Sequence, residues 1–190
     1  NYFVSFAMDT YDRRYFPSRG GRVHIQGTVH TDDGINYDDG KPFGDVALHT
    51  ECALRLSSRF YLIPKLKGRF LFGDNVPAIY QNCAGGNSDA VYLPWQMAWE
   101  TAQHTHLLER NVMTAQLALR YRLKKKFYVA ALGEYGKQSH RTSRILSGDD
   151  MWGCALRASF DFVFGPISIQ TNYSNLSKNV GVYINAGFVF

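Results

Sequence analysis

The chain has 190 residues, with 21 Lys and Arg against 16 Asp and Glu for a formal net charge of +5, and it carries 12 Tyr, 13 Phe and 3 Trp. A 45% hydrophobic share excludes disorder, and no run of about 18 apolar residues exists to cross a membrane as a helix. The cations are spread among acidic residues at strand period and form no patch, which sets nucleic acid aside as a partner.

In chain order, the first element is a strand over 1–12, with Tyr2, Val4, Phe6 and Met8 alternating. A tight turn follows at Phe16, Pro17 and Gly20, where Pro17 fixes φ and Gly20 and Gly21 reach conformations closed to other residues. Over 21–31, Val23, Ile25, Gly27 and Val29 fall on one side and Arg22, His24, Gln26, Thr28 and His30 on the other. The segment 45–58 sets Val46, Leu48, Cys52, Leu54 and Leu56 against His49, Glu51 and Arg55; 60–73 brings Lys65, Lys67 and Arg69 to one face. Beyond a long loop at 74–111, the strand 112–124 opposes Met113, Ala115, Leu117, Leu119 and Tyr121 to Thr114, Gln116, Arg120 and Arg122. Strands at 126–137 and 150–163 follow, the latter with Trp152, Cys154, Leu156, Ala158, Phe160 and Phe162 against Arg157, Ser159 and Asp161. The last two span 166–175 and 178–190.

Ordinary strands average about 5 to 6 residues, whereas a tilted membrane-spanning strand needs about 9 to 11. Long strands with one apolar face, one charged face and aromatics near their ends predict an all-β fold, a transmembrane antiparallel β-barrel with lipid outside and a polar lumen inside. The expected lumen-facing residues are Arg22, His24, Gln26, Glu51, Arg55, Lys67, Arg120, Arg157 and Asp161. A soluble barrel or sandwich would alternate similarly, but with shorter strands, and Lys65, Lys67 and Arg69 on one strand suit a wet lumen better than a packed interior.

Short connections (YFPSRG, LSSRF, LKKKF, VFGP) alternate with long polar ones, the arrangement of an outer-membrane barrel with its short turns in the periplasm. Reading 92–106 as a spanning strand, on the alternation of Trp95, Met97 and Trp99, would break that rule, so 74–111 is one extracellular loop able to fold back into the lumen. Nine antiparallel strands cannot close on themselves without a parallel pair, and the chain starts inside a strand. Further strands are therefore expected upstream or from a partner chain.

The stretch DTYDRRYFPSRGGRV resembles the strand, turn and strand of the BamA-like surface antigen superfamily, in which an Asp precedes a Phe-Pro-x-x-Gly turn, here Phe16, Pro17 and Gly20. The ending GPISIQTNYSNLSKNVGVYINAGFVF is similar to the superfamily's last hairpin, with Phe188 and Phe190 at an assembly signal, although Asn185 stands where Gly is common. The resemblance implies a sixteen-stranded barrel of which this chain is the C-terminal nine, with five strands after a lumenal loop, membrane lipid around it and the outer-membrane assembly machinery as a partner. YFPSRG, LRYRLKKKFYVAALGEYG and GPISIQTNY together are most similar to barrels attached to patatin-like phospholipases of Bacteroidetes. The superfamily's lumenal loop usually carries an Arg-Gly-aromatic tip, which 74–111 lacks; its nearest candidates are Pro94, Trp95 and Gln96.

No catalytic site is expected in this chain. A patatin hydrolase needs a G-x-S-x-G elbow and an Asp-Gly partner; GGNSDA at 85–90 lacks the second Gly, and Asp33-Gly34 and Asp39-Gly40 have no serine elbow to serve. His104 with His106, or His24 with His49 and Glu51, could approach a metal, but no third ligand at fixed spacing supports one, so neither metal nor cofactor is expected. Cys52 and Cys154 sit at lipid-facing positions and Cys83 in the loop, which argues against a disulfide framework. The run Lys124, Lys125, Lys126 reads as a solvated hairpin end. The expected function is to anchor, and also to pass, an N-terminal patatin-like phospholipase. The alternatives are a BamA-like assembly or secretion barrel, and a self-contained barrel hydrolase using His104, His106 or His140.

Overall fold

The computed structural model describes residues 1–31, 41–73, 76–86, 95–102 and 105–187. Four long strands come first, β1 (Tyr2–Asp9), β2 (Gly20–His30), β3 (Phe43–Arg55) and β4 (Phe60–Phe72). Three two-residue strands lie within the loop, β5 (Cys83–Ala84), β6 (Gln96–Met97) and β7 (His106–Leu107). Five long strands close the chain, β8 (Asn111–Lys124), β9 (Phe127–Ser139), β10 (Asp149–Phe162), β11 (Gly165–Ser174) and β12 (Val180–Ala186). The long strands form one antiparallel sheet in the order β1-β2-β3-β4-β8-β9-β10-β11-β12, and β1 and β12 are its two open edges. Since β4 pairs directly with β8, the loop is an insertion between neighbours in the wall.

The two faces of the sheet meet different surroundings. One presents apolar side chains outward, with Leu117 51%, Leu156 59% and Ile184 71% exposed. A soluble protein does not expose a continuous apolar face of this extent, and hydrocarbon is the medium that accepts it. Aromatic pairs line its periplasmic end, Phe60 with Tyr121 at 4.7 Å and Phe127 with Phe160 at 4.6 Å between ring centroids, where a membrane interface favours them. No helix among the described residues is long and apolar enough to cross a membrane. The sheet crosses with strands.

The opposite face carries Arg22, His24, Gln26, Glu51, Arg55, Lys67, Arg120, Arg157 and Asp161, each on the parity opposite the exposed aliphatics of its own strand. The loop covers part of this face. There Ala84, Trp99, Ala102 and Leu108 of the loop pack with Val112 and Met151 of the wall. The expected wet environment of the β4 cations is therefore corrected: Lys67 is 8% and Arg69 4% exposed, because the loop lies over them.

The first strand is shorter than the sequence suggests. It ends at Asp9, and Thr10–Arg19 is a ten-residue connection in place of a tight turn. Gly20 is required at its end: φ is +99°, and a Cβ there would sit 2.2 Å from the Thr10 carbonyl oxygen. Other boundaries agree within three residues, except that β12 is described only from Val180 to Ala186. Phe188 and Phe190 lie outside the described residues, as do Asp33, Gly34, Asp39, Gly40, Pro94 and His104.

Candidate functional site

The loop enters the lumen at Trp99, Glu100 and Thr101, five residues further along than the Pro94-Trp95-Gln96 expected from sequence. Trp95 instead stacks against the Arg69 guanidinium at 4.5 Å, and the Gln96 amide donates to the Gly85 carbonyl at 2.7 Å. Glu100 has no exposed side-chain surface. Its carboxylate receives Lys65 Nζ from β4 at 3.0 Å and the Arg157 guanidinium from β10. Its backbone carbonyl accepts from Gln170 and from Asn172, the latter at 3.2 Å, both on β11. Its own N–H donates to Glu134 of β9 at 3.1 Å.

One residue thus touches four strands. β4 and β11 are four steps apart in the sheet, a separation of roughly 19 Å if the wall were flat. The short bonds from both to Glu100 require the wall to curve around the loop. Burial opposes ionisation of Glu100, but Arg157, Lys65 and Lys67 outweigh it and hold the carboxyl well below the usual carboxylate range.

The neighbours of Glu100 complete the docking. Thr101 donates its N–H at 3.0 Å and its hydroxyl at 2.8 Å to Glu134. Its hydroxyl fits over Gly153 of β10, where a Cβ would come within 2.0 Å of Thr101 Oγ1. Trp99 donates its indole N–H to Ser174 at 3.2 Å, and Lys67 donates to the Ala98 carbonyl at 3.2 Å.

The loop's base is held separately. Asp45 of β3 accepts from His30 Nε2 at 2.7 Å and from Arg69 Nε at 2.9 Å, and Asn82 donates to the carbonyls of Glu109 at 3.0 Å and Arg110 at 2.8 Å. His30 stacks on Phe43 with 4.4 Å between centroids. This network belongs to the extracellular end of the lumen.

At the other end Thr10–Arg19 folds over the lumen face of the wall. Phe16 stacks on Tyr128 of β9 at 4.2 Å with the rings 9° from parallel, and the Arg120 guanidinium of β8 donates to the Pro17 carbonyl. Arg120 lies over three rings, 5.1 Å from Tyr61, 5.6 Å from Tyr128 and 5.8 Å from Phe16. Asp12 braces the connection by accepting from the Ser18 hydroxyl at 2.6 Å and from the N–H groups of Ser18 at 2.7 Å and Arg19 at 3.2 Å. Partial burial opposes its ionisation, but these bonds and nearby Arg13 hold its pKa at about 2. Between the two closures lies a cavity of about 190 Å³ bordered by Arg22, Glu51, Lys65, Glu100, Gln116 and Arg157.

The sequence-singled residues fall in several places. Arg22 bonds Asp9 at 3.1 Å and lies 3.7 Å from Glu51; the Gln26 amide donates to Thr28 at 3.2 Å. Arg55 donates to the Ser57 carbonyl at 3.2 Å, and Asp161 donates its backbone N–H to the Lys126 carbonyl. His24 and His49 are cross-strand neighbours, with His49 Nε2 3.9 Å from Glu51. His106 is in β7, and His140 sits 3.6 Å from Glu109 at the surface. Cys52, Cys83 and Cys154 are free thiols. Sequence reasoning did not single out Glu100, Thr101, Glu134, Gly153, Gln170 or Tyr128.

A long-stranded antiparallel wall with an apolar outer face, and a loop inserted in the lumen between two neighbouring strands, defines a transmembrane β-barrel of the outer-membrane kind. Residues 1–190 match the family model of the OMP85 superfamily, and the chain belongs to that superfamily. Its barrels serve outer-membrane assembly or secretion, which agrees with the BamA-like resemblance of the turn and the last hairpin. No curated protein matches the chain.

Proposed function

We propose that this chain is the lumen-lining wall of a secretion or assembly barrel held shut at rest by its own loop and its β1–β2 connection, and that opening it means withdrawing Glu100. The observation behind this reading is the single carboxylate bonded to both Lys65 and Arg157 across the lumen face. In water such a pair contributes little, but buried it is costly to break, because either partner alone is an uncompensated charge. A loop fixed so firmly obstructs the lumen until something competes for its partners.

In its specific form, the barrel anchors and passes an N-terminal patatin-like lipid hydrolase, with further wall strands pairing at the open edges β1 and β12. The chain itself performs no hydrolysis. The resemblance of YFPSRG and GPISIQTNY to patatin-linked barrels supports this form, and the open edges suit added strands. The family match bears on the second form, a BamA-like assembly barrel with periplasmic helper domains, and does not bear on the patatin attachment.

The deciding experiment is the mass of the detergent-solubilised native particle with peptide identification of its contents. A G-x-S-x-G hydrolase in the same polypeptide supports the patatin form, whereas periplasmic helper domains without a hydrolase support the assembly form. A particle made of this chain alone, with hydrolytic activity dependent on His106 or His140, overturns both.

A further inference from the structure

A second pocket, of about 80 Å³, opens beside the periplasmic closure, between the β1–β2 connection and the wall. Arg13, Arg55 and Arg122 line it, with Ser18, Tyr61 and Tyr128. Each guanidinium offers five N–H donors. Arg55 spends one on the Ser57 carbonyl at 3.2 Å and Arg122 one on the Ser58 carbonyl at 2.7 Å. Among the described residues, Arg13 makes no hydrogen bond or ion pair, and none of the three has a carboxylate within ion-pair distance. Asp12, which interacts electrostatically with Arg13, has its oxygens bonded to Ser18 and Arg19, so a single negative charge stands against the three guanidiniums there.

Three arginines around one pocket repel one another unless an anion lies between them. We infer that this pocket is an oxyanion site for a phosphate group. Forked guanidinium donors match phosphate oxygens in pairs, and the three together exceed what one carboxylate can accept. Phe60, Tyr121, Phe127 and Phe160 stand on the opposite, lipid-facing side of the wall at this end, so a headgroup phosphate reaches the pocket around the turns and a soluble phosphate reaches it directly from the lumen side. The phosphate is thus that of a phospholipid headgroup or of a soluble phosphate. Because Phe16 and Ser18 form part of the pocket, its occupant also fastens the connection that closes the lumen.

The test is calorimetric titration of inorganic phosphate into the full-length protein in a zwitterionic detergent, with native mass spectrometry of the same preparation. Saturable binding should weaken at least roughly tenfold in the Arg55→Gln, Arg122→Gln double variant and stay unchanged in the Lys125→Gln, Lys126→Gln variant. Folding of each is checked by heat-modifiable migration in gels. If the double variant does not fold, Arg122→Lys replaces it, since it keeps the charge, loses the fork and should still weaken binding. A co-purifying phospholipid lost with the arginines assigns the headgroup as source, and phosphate binding with no such lipid assigns a soluble phosphate. The proposal is overturned if phosphate does not saturate and no phospholipid co-purifies, or if the lysine variant weakens binding as much as the arginine variant. Capture of an acidic peptide where phosphate fails overturns it in favour of a protein partner.

Discussion

The two closures of the lumen are built from different materials. The loop that comes in from the extracellular side buries Glu100 fully among charges and amide donors midway along the wall, while at the periplasmic end Phe16, Tyr61 and Tyr128 surround one arginine, and the connection there is half exposed. A buried ion pair is costly to part, whereas stacking and cation–π contacts contribute about 0.5 to 2 kcal/mol each and re-form easily. The comparison teaches that the loop is the firm closure and the turn the yielding one.

The largest effect should come from Glu100→Gln, which removes the charge that Lys65 and Arg157 share, although Lys65 keeps Glu51 at 3.6 Å. Loss of one partner of a buried pair costs about 3 to 5 kcal/mol, read as loop amides exchanging hydrogen far faster and as higher conductance in planar bilayers. If the loop stays protected, the extracellular closure rests on its apolar packing and not on this charge. Because Glu100 is held ionised below the usual range, its closure should also persist at pH 4 and weaken only under stronger acid.

Gly153→Val comes next. A side chain there must displace Thr101, whose Oγ1 would lie 2.0 Å from the new Cβ. A cost of about 1 to 3 kcal/mol is expected, against no measurable change for Gly133→Ala on the lipid face, where nothing lies within 4 Å. Denaturant unfolding of the two variants side by side measures the difference.

Phe16→Ala should loosen the periplasmic closure by about 1 to 3 kcal/mol, seen as trypsin cutting at Arg13, Arg14 or Arg19 while the loop remains protected. Simultaneous release of both ends would show that the closures are one unit. The smallest effect belongs to Asp12. Its pKa is depressed to about 2, so its bracing is complete above the ordinary carboxylate value and is lost as pH falls from about 4 toward 2. Exposed to solvent, it contributes less than about 1 kcal/mol, and Asp12→Asn should abolish only that acid-dependent part of the loosening, read with pepsin, which cuts at this pH.

The wall was legible in the sequence because two solvents, lipid and lumen, write a period of two on every strand. The loop's chemistry was not, since Ala98, Trp99, Glu100 and Thr101 have no period and their partners lie on four separate strands. One signal was available: Arg22, Arg55, Lys65, Lys67, Arg69, Arg120, Arg122 and Arg157 outnumber Asp9, Asp45, Glu51, Glu134 and Asp161 on the lumen face, so a further anion suits that face, and Glu100 stands alone in an otherwise uncharged stretch, 95–108. The first turn misled because Pro17 and Gly20 announce a chain reversal whatever its length, and nothing local says that Phe16 will reach across to Tyr128.

Glu100 bonds to β4, β9, β10 and β11 at once, which makes it a tie-rod as well as a stopper. A wall tied in this way cannot change its curvature without lengthening a bond to the tie, and the tie cannot leave without freeing the wall to flatten. The width of the lumen and the position of the loop are therefore one variable, so whatever draws the loop out also widens the passage that it leaves.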